Sequence, residues 1–169
     1  MTALFTLREW KQLPEGFPAQ LLDGCLVRDA VPTLGHQDLV GRLYLQLTSV
    51  LERRRVVLAP ADVVIDRLNV LQPDVCVVSA PRPPTASDVG IPILVFEVHS
   101  PSTRKQDRTT KTVKYLAAGV EEIWLVDPVA RTLTVRTTGG ARVYRDTDEA
   151  RSEALRDVRF VPRDLFADD

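Results

Sequence analysis

Only two cysteines and two histidines occur among the 169 residues, and Cys25 and Cys76 stand at no metal-ligand spacing. Nothing in MTALFTLREW resembles a cationic, apolar secretory segment, so the expectation is a reduced, cytoplasmic protein. Long hydrophobic runs are also missing. The longest, around VVL and ILVF, have strand length and fall far short of the roughly 18 residues needed to cross a bilayer, which argues against membrane insertion. Charge of one sign is in short supply too: 22 Lys and Arg balance 23 Asp and Glu for a formal net charge of −1. That composition lacks the basic excess of a protein that coats nucleic acid, while leaving room for a local basic groove. There is no low-complexity segment and no internal repeat. What is present, 44% hydrophobic and 27% charged residues, suits a folded globular chain, and the length fits one domain spanning residues 1–169.

The stretch TLREWKQLPEG offers Thr6 as an N-cap and stops at Pro14 and Gly16, predicting a short helix. In AQLLDGCLVRDA two apolar segments flank Asp23-Gly24, the dipeptide favoured by a two-residue hairpin turn. From Gly35 to Arg55, Leu39, Val40, Leu43, Leu47, Val50 and Leu51 recur at three- and four-residue intervals, predicting a long amphipathic helix with His36 in its first turn. VVLAP, DVVID and DVCVVS then read as strands punctuated by Pro60 and by Asn69 to Pro73. A proline-rich loop leads into the strand ILVFEV. SPSTRKQDRTTKTVKYLAAGV reads as a second helix ended by Gly119, with Val113, Leu116, Ala117 and Val120 as its packed face. EEIWLVDP is a further strand, TLTVRTT-GG-ARVYRD a hairpin, and the tail reads as irregular. The order predicts an α/β (mixed α+β) domain, one mixed sheet flanked by helices with an N-terminal hairpin and a parallel crossover from ILVFEV to IWLV.

Within ILVFEVHS the chain places Glu97 where another apolar residue belongs. An isolated ionised carboxylate in a low-dielectric interior costs several kcal/mol or more, so Glu97 requires a cation, a metal or a raised pKa. A second acidic residue, Asp74 in QPDVCVVS, follows a proline that fixes the backbone before it. If the two strands are neighbours, roughly 4.8 Å apart, both carboxylates can address one small volume. Two carboxylates repel unless a cation lies between them, and Mg²⁺ or Mn²⁺ suits such a hard oxygen donor set. His99 lies two residues after Glu97, on the same face of an extended strand. The following helix carries Arg104, Asp107, Arg108, Lys111, Lys114 and Tyr115. Lys111 stands nearly opposite the apolar stripe, facing solvent or a cleft. Ser100, Ser102 and Thr103 could cap that helix and leave backbone N–H groups for an anion.

The run PDV at Asp74, followed by EVHSPST…D…K…Y…AGVEEIWLVDP, resembles the Uma-two family of bacterial proteins, regarded as candidate restriction endonucleases in the PD-(D/E)XK nuclease superfamily. The likeness is dense from about Asp62 to Pro128, with a looser echo in LLDGCLV and GHQDLVGRLYLQL. It implies a restriction-endonuclease-like core, a metal-dependent attack of water on a phosphodiester, and nucleic acid, first of all DNA, as partner. Asp74 matches the motif aspartate and Glu97 the acidic member of the half-motif, the two metal ligands. His99 occupies the place of the motif lysine, a departure; Lys111, on the next helix, fits the displaced lysine found in parts of the superfamily. His36 resembles a histidine often found at the start of the long helix, and Asp62 and Asp107 are weaker candidates for supporting roles. A homodimer is expected because cutting both strands of a duplex suits two-fold symmetry.

Each residue also has a plainer reading. Glu97 could form a buried ion pair with Lys111 or an arginine and do no chemistry. Asp74 could simply start a strand, and the basic residues could form a solvated helix face. Tyr115 could be packing, and Arg53-Arg54-Arg55 could serve the end of the long helix. These readings keep open a non-catalytic binding or regulatory module that retains the nuclease fold.

Overall fold

The computed structural model describes residues 4–14, 16–28, 31–99 and 107–167, the last of these segments without the side chains of 107 and 108. Helix α1 (Leu7–Trp10) precedes a hairpin of β1 (Ala19–Leu22) and β2 (Cys25–Arg28). Leu22 pairs with Cys25, and Asp23 and Gly24 have φ of 50° and 75°. Two successive left-handed residues are what a type I′ turn demands, which is why Asp-Gly marks it.

Helix α2 (Leu34–Val50) begins at Thr33, whose hydroxyl accepts the His36 N–H at 3.2 Å. It ends earlier than the periodicity predicts. Leu51 is extended, and Arg53–Arg55 form a separate 3₁₀ turn. The three arginines therefore do not serve as the basic last turn of α2. β3 (Val56–Leu58), β4 (Val63–Asp66), β5 (Asn69–Leu71) and β6 (Val75–Val77) follow. β5 was hidden in the sequence by Asn69 and Pro73, which read as loop. Asn69 is accommodated because its amide nitrogen donates to Asp66 and its oxygen accepts the Asp23 N–H. Val70 and Leu71 are fully buried.

Next come β7 (Leu94–Val98), a π-helical turn (Asp107–Lys111) running into α3 (Thr112–Ala118), β8 (Glu122–Asp127) and a hairpin of β9 (Thr132–Thr137) and β10 (Gly140–Arg145). Gly119 ends α3 with φ 102°, the left-handed cap expected of a glycine there. The tail is more ordered than it reads: β11 (Ala150–Arg151) pairs with β12 (Arg159–Phe160), and α4 (Pro162–Leu165) closes the chain.

The strands form a central mixed sheet, β10-β9-β8-β7-β6-β3, in which β7 and β8 are parallel and the other neighbours antiparallel. This is the expected core. A second, antiparallel sheet, β2-β1-β5-β4, takes in the hairpin and DVVID, so the expectation of a single sheet holds for the core only.

Alternation along the strands divides the core between two faces. On one, Leu39, Leu43 and Leu47 of α2 meet Val75, Val77, Leu94, Phe96, Trp124 and the C-terminal Phe160. Phe96, Trp124 and Phe160 stack or meet edge to face at 5.4–5.7 Å between centroids. On the other, Cys76, Val95, Ile123 and Leu125 pack against Tyr115 of α3 and Leu22, Val63 and Leu71 of the second sheet. Glu97, two residues after Val95, belongs to this second face. Among the described residues no helix is long and apolar enough to cross a membrane.

Candidate active site

Asp74 sits one residue before β6. Its Oδ2 accepts the backbone N–H of Val98 at 2.7 Å, so the side chain reaches across to β7. Its Oδ1 lies 3.0 Å from Nε2 of His36, and both side chains are 19% exposed. An ionised carboxylate can only accept, so this contact places the proton on Nε2 of His36. The Thr33 cap fixes the first turn of α2 and with it the approach of the imidazole. Asp74 and His36, separated by 38 residues in sequence, are thus joined by the fold.

The register of β6 on β7 pairs Val77 with Leu94, Cys76 with Val95 and Val75 with Phe96. Asp74 stands just outside this ladder, and its oxygens meet the Val98 N–H and His36 of α2, whereas Glu97 meets Lys111 and Tyr115. Glu97 is 3% exposed. The Lys111 ammonium lies 3.3 and 3.4 Å from its two oxygens, and the Tyr115 hydroxyl donates to Oε1 at 3.0 Å. A cation and a hydroxyl therefore answer the burial of this carboxylate. Its charge is felt nearby: the Cys76 thiol is pushed up to about 12, first by burial and then by Glu97.

Helix α3 buries only part of the predicted apolar stripe: Leu116 and Val120 pack into the core, while Val113 and Ala117 face out. Lys111, Thr112 and Tyr115 are buried, whereas Val113 is 65% exposed. The competing magnitudes explain the choice. Burying a valine is worth roughly 1.5–3 kcal/mol, whereas stripping one partner from a buried ion pair costs about 3–5 kcal/mol. The helix turns its polar side inward because Glu97 is there to meet it. Lys114, one residue before Tyr115, donates to Asp23 at 2.6 Å and ties α3 to the tip of the β1–β2 hairpin.

His99 is buried and continues the β7–β8 ladder, its N–H donating to the Val126 carbonyl at 2.8 Å. Asp62 does not join the pair. Its carboxylate accepts from Trp10 Nε1 and Gln72 Nε2 on the wall of a groove of about 1060 Å³ beside β3 and β4, which Asp74 and Glu97 do not line. Ser100, Ser102, Thr103 and Arg104 lie outside the described residues, as do the side chains of Asp107 and Arg108. Asp127 ends β8 by accepting the N–H groups of Val129 and Ala130, the terminating role its place before Pro128 suggests.

Tyr115, for which packing and function both stood open in the sequence, contacts Glu97 directly, and its i, i+4 spacing from Lys111 was the signal available. One residue escaped the sequence reading. Glu122 is another buried carboxylate, at the opposite end of the parallel pair. It accepts from Trp124 Nε1 and from the N–H groups of Glu153 and Ala154, an anchor for the tail.

The model of the Uma2 family, described as "Putative restriction endonuclease", matches residues 6–166. The chain belongs to that family. A crystal structure of "a putative nuclease belonging to DUF820" from Anabaena variabilis superposes with a TM-score of 0.82, covering 96% of this chain and 97% of that one at 20% identity. That likeness shows that the mixed α/β fold expected from the sequence is shared with that protein. No curated protein matches significantly.

Nucleases of this fold class imply a divalent cation, and the donor chemistry here can be tested against one. Among the described residues no group of three or more His, Cys, Asp and Glu side chains could hold a metal ion, so no closed cage is built. By donor type, the carboxylates of Asp74 and Glu97 suit Mg²⁺ or Mn²⁺, which take one or two carboxylates and complete their shell with water and phosphate oxygens. The chemistry of these donors fits an open site of this kind; their contacts here include the Val98 N–H and His36 for Asp74, and Lys111 and Tyr115 for Glu97.

Proposed function

We propose that this member of the Uma2 family is a Mg²⁺- or Mn²⁺-dependent endonuclease that hydrolyses DNA phosphodiester bonds, with Asp74 and Glu97 as the metal ligands. The observation that supports it most is the placement of these two carboxylates on neighbouring segments of the sheet, Asp74 bonded to the N–H of Val98, the residue after Glu97, with a buried lysine against Glu97. A divalent cation held there would supply Lewis acidity towards the phosphoryl group and a more acidic water. The chain's own residues do the rest. His36 orients Asp74 through Nε2, and the Val98 N–H holds the other oxygen. Tyr115 orients Glu97. Lys111 brings a positive charge to the place where negative charge develops on the phosphoryl oxygens. His99, where the lysine of the motif usually stands, assists proton transfer. A homodimer of such chains would address both strands of a duplex, and the two free cysteines, one exposed and one buried, suit a reducing compartment such as the cytoplasm.

The test is cleavage of plasmid DNA with Mg²⁺ or Mn²⁺ by the wild-type chain beside Asp74→Ala and Glu97→Gln. The expected outcome is cleavage by the wild type and a loss on the order of a hundredfold or more in either variant. Wild type no faster than the variants on duplex DNA, single-stranded DNA and RNA would end this reading.

One observation favours a second reading. Glu97 already has a cation and a hydroxyl, the arrangement of a structural ion pair, and a non-catalytic binding or regulatory module could retain it. Calorimetry with Mn²⁺ separates the two. No binding, together with normal folding of an Asp74→Ala/Glu97→Ala double variant, selects the module.

A further inference from the structure

Glu97 and Lys111 are 3% and 8% exposed, and their charged atoms face each other at 3.3 and 3.4 Å. In such a place neither charge is tolerable alone, so each is the condition for the other's burial. Yet Glu97 is also the more deeply buried member of the carboxylate pair assigned above to a divalent cation. An ammonium and a divalent ion on one carboxylate repel, and at a few ångströms inside the protein salt does not screen that repulsion.

We propose that Lys111 is the resident counter-ion of Glu97 and competes with the divalent cation for it. The inference rests on the nuclease-site reading. Without metal the ammonium neutralises Glu97; with metal bound, Lys111 gives up that contact and its charge becomes available to the phosphodiester. The unbranched four-carbon stem of lysine permits such a move from a fixed backbone. Tyr115 makes the exchange orderly. Its hydroxyl is neutral and donates to Oε1 at 3.0 Å, so it keeps Glu97 in place whichever cation is present. The lysine thereby serves two purposes in sequence: it makes the metal-free fold stable, and it is delivered to the substrate only where metal has bound.

The experiment uses the full chain, freed of metal with chelator, and the variants Lys111→Met and Lys111→Arg. Mn²⁺ affinity is measured by calorimetry, and thermal unfolding is followed with and without Mn²⁺. Lys111→Met should bind Mn²⁺ roughly tenfold tighter than wild type. It should also melt lower in chelator and gain more from added Mn²⁺. Lys111→Arg, which keeps the charge, should stay near wild type on both measures. If Lys111→Met does not fold in chelator, circular dichroism on adding Mn²⁺ decides: recovery of structure supports the exchange and continued unfolding overturns it. Unchanged or weaker Mn²⁺ affinity in Lys111→Met overturns the competition alone, provided Asp74→Asn abolishes binding. Absence of Mn²⁺ binding in wild type and Lys111→Met alike overturns the competition and the metal-site assignment together.

Discussion

Replacing Tyr115 with phenylalanine removes one oxygen atom from a side chain that is 0% exposed and leaves the ring to fill the same space. What is lost is the hydrogen bond to Oε1 of Glu97, at 3.0 Å. A hydrogen bond to a charged group contributes about 1.5–3 kcal/mol, and little cavity term is added because the ring remains. For a chain of this length, about 2 kcal/mol corresponds to a fall of roughly 4–8 °C in the melting midpoint. Urea denaturation of wild type, Tyr115→Phe, Glu97→Gln and the double variant closes a thermodynamic cycle that isolates the pair. The coupling energy should be about 1.5 kcal/mol or more. The same variant should lower kcat more than it raises KM if Tyr115 orients Glu97 for chemistry. A coupling below about 0.5 kcal/mol would show that the ring is packing alone and that the hydroxyl holds nothing.

Three further outcomes follow from the packing. Val113→Ser, on the exposed side of α3, should change stability by no more than about 0.5 kcal/mol in urea denaturation; a loss of several kcal/mol would restore the apolar-stripe reading of that helix. Phe160→Ala removes one of three mutually packed rings and should cost about 3–5 kcal/mol, read as a lower denaturation midpoint with an unchanged slope. A thiol reagent at pH 8 should modify Cys25 quickly in the native chain and Cys76 only on unfolding, because the Cys76 thiol is buried and pushed up to about 12. The sign of the accompanying pH effect is set by the proton. Below the ordinary value of 9.0 Cys76 is protonated both folded and unfolded. Above it the unfolded chain ionises first, so the contribution of this site to stability falls as pH rises from there towards 12.

Much of the architecture was legible because it rests on local chemistry. Asp23-Gly24 names its turn, Gly119 names the end of a helix, and the spacing of Leu39, Leu43 and Leu47 names the buried side of α2. The parallel crossover from β7 to β8 follows from two apolar strands and the length of chain between them. The failures share a cause as well. Asn69 reads as a loop residue until Asp66 and Asp23 are beside it. Val113 and Ala117 read as part of a packed face with Leu116 and Val120, yet only the latter two reach the core, because the helix also turns Lys111 and Tyr115 towards Glu97.

At the candidate site the same division holds. From the sequence alone came two acidic residues in apolar strands, a lysine-bearing helix after the second, and the requirement that a buried carboxylate find a cation, because desolvation of charge is costly wherever the chain folds. Only the tertiary structure decided which cation it is, that His36 meets Asp74 across 38 residues, that Tyr115 belongs to the site, and that Asp62 does not. Local propensity can say that a charge must be answered. Which group answers depends on strand register and on the face a helix turns inward, and these are set by contacts between residues distant in the chain.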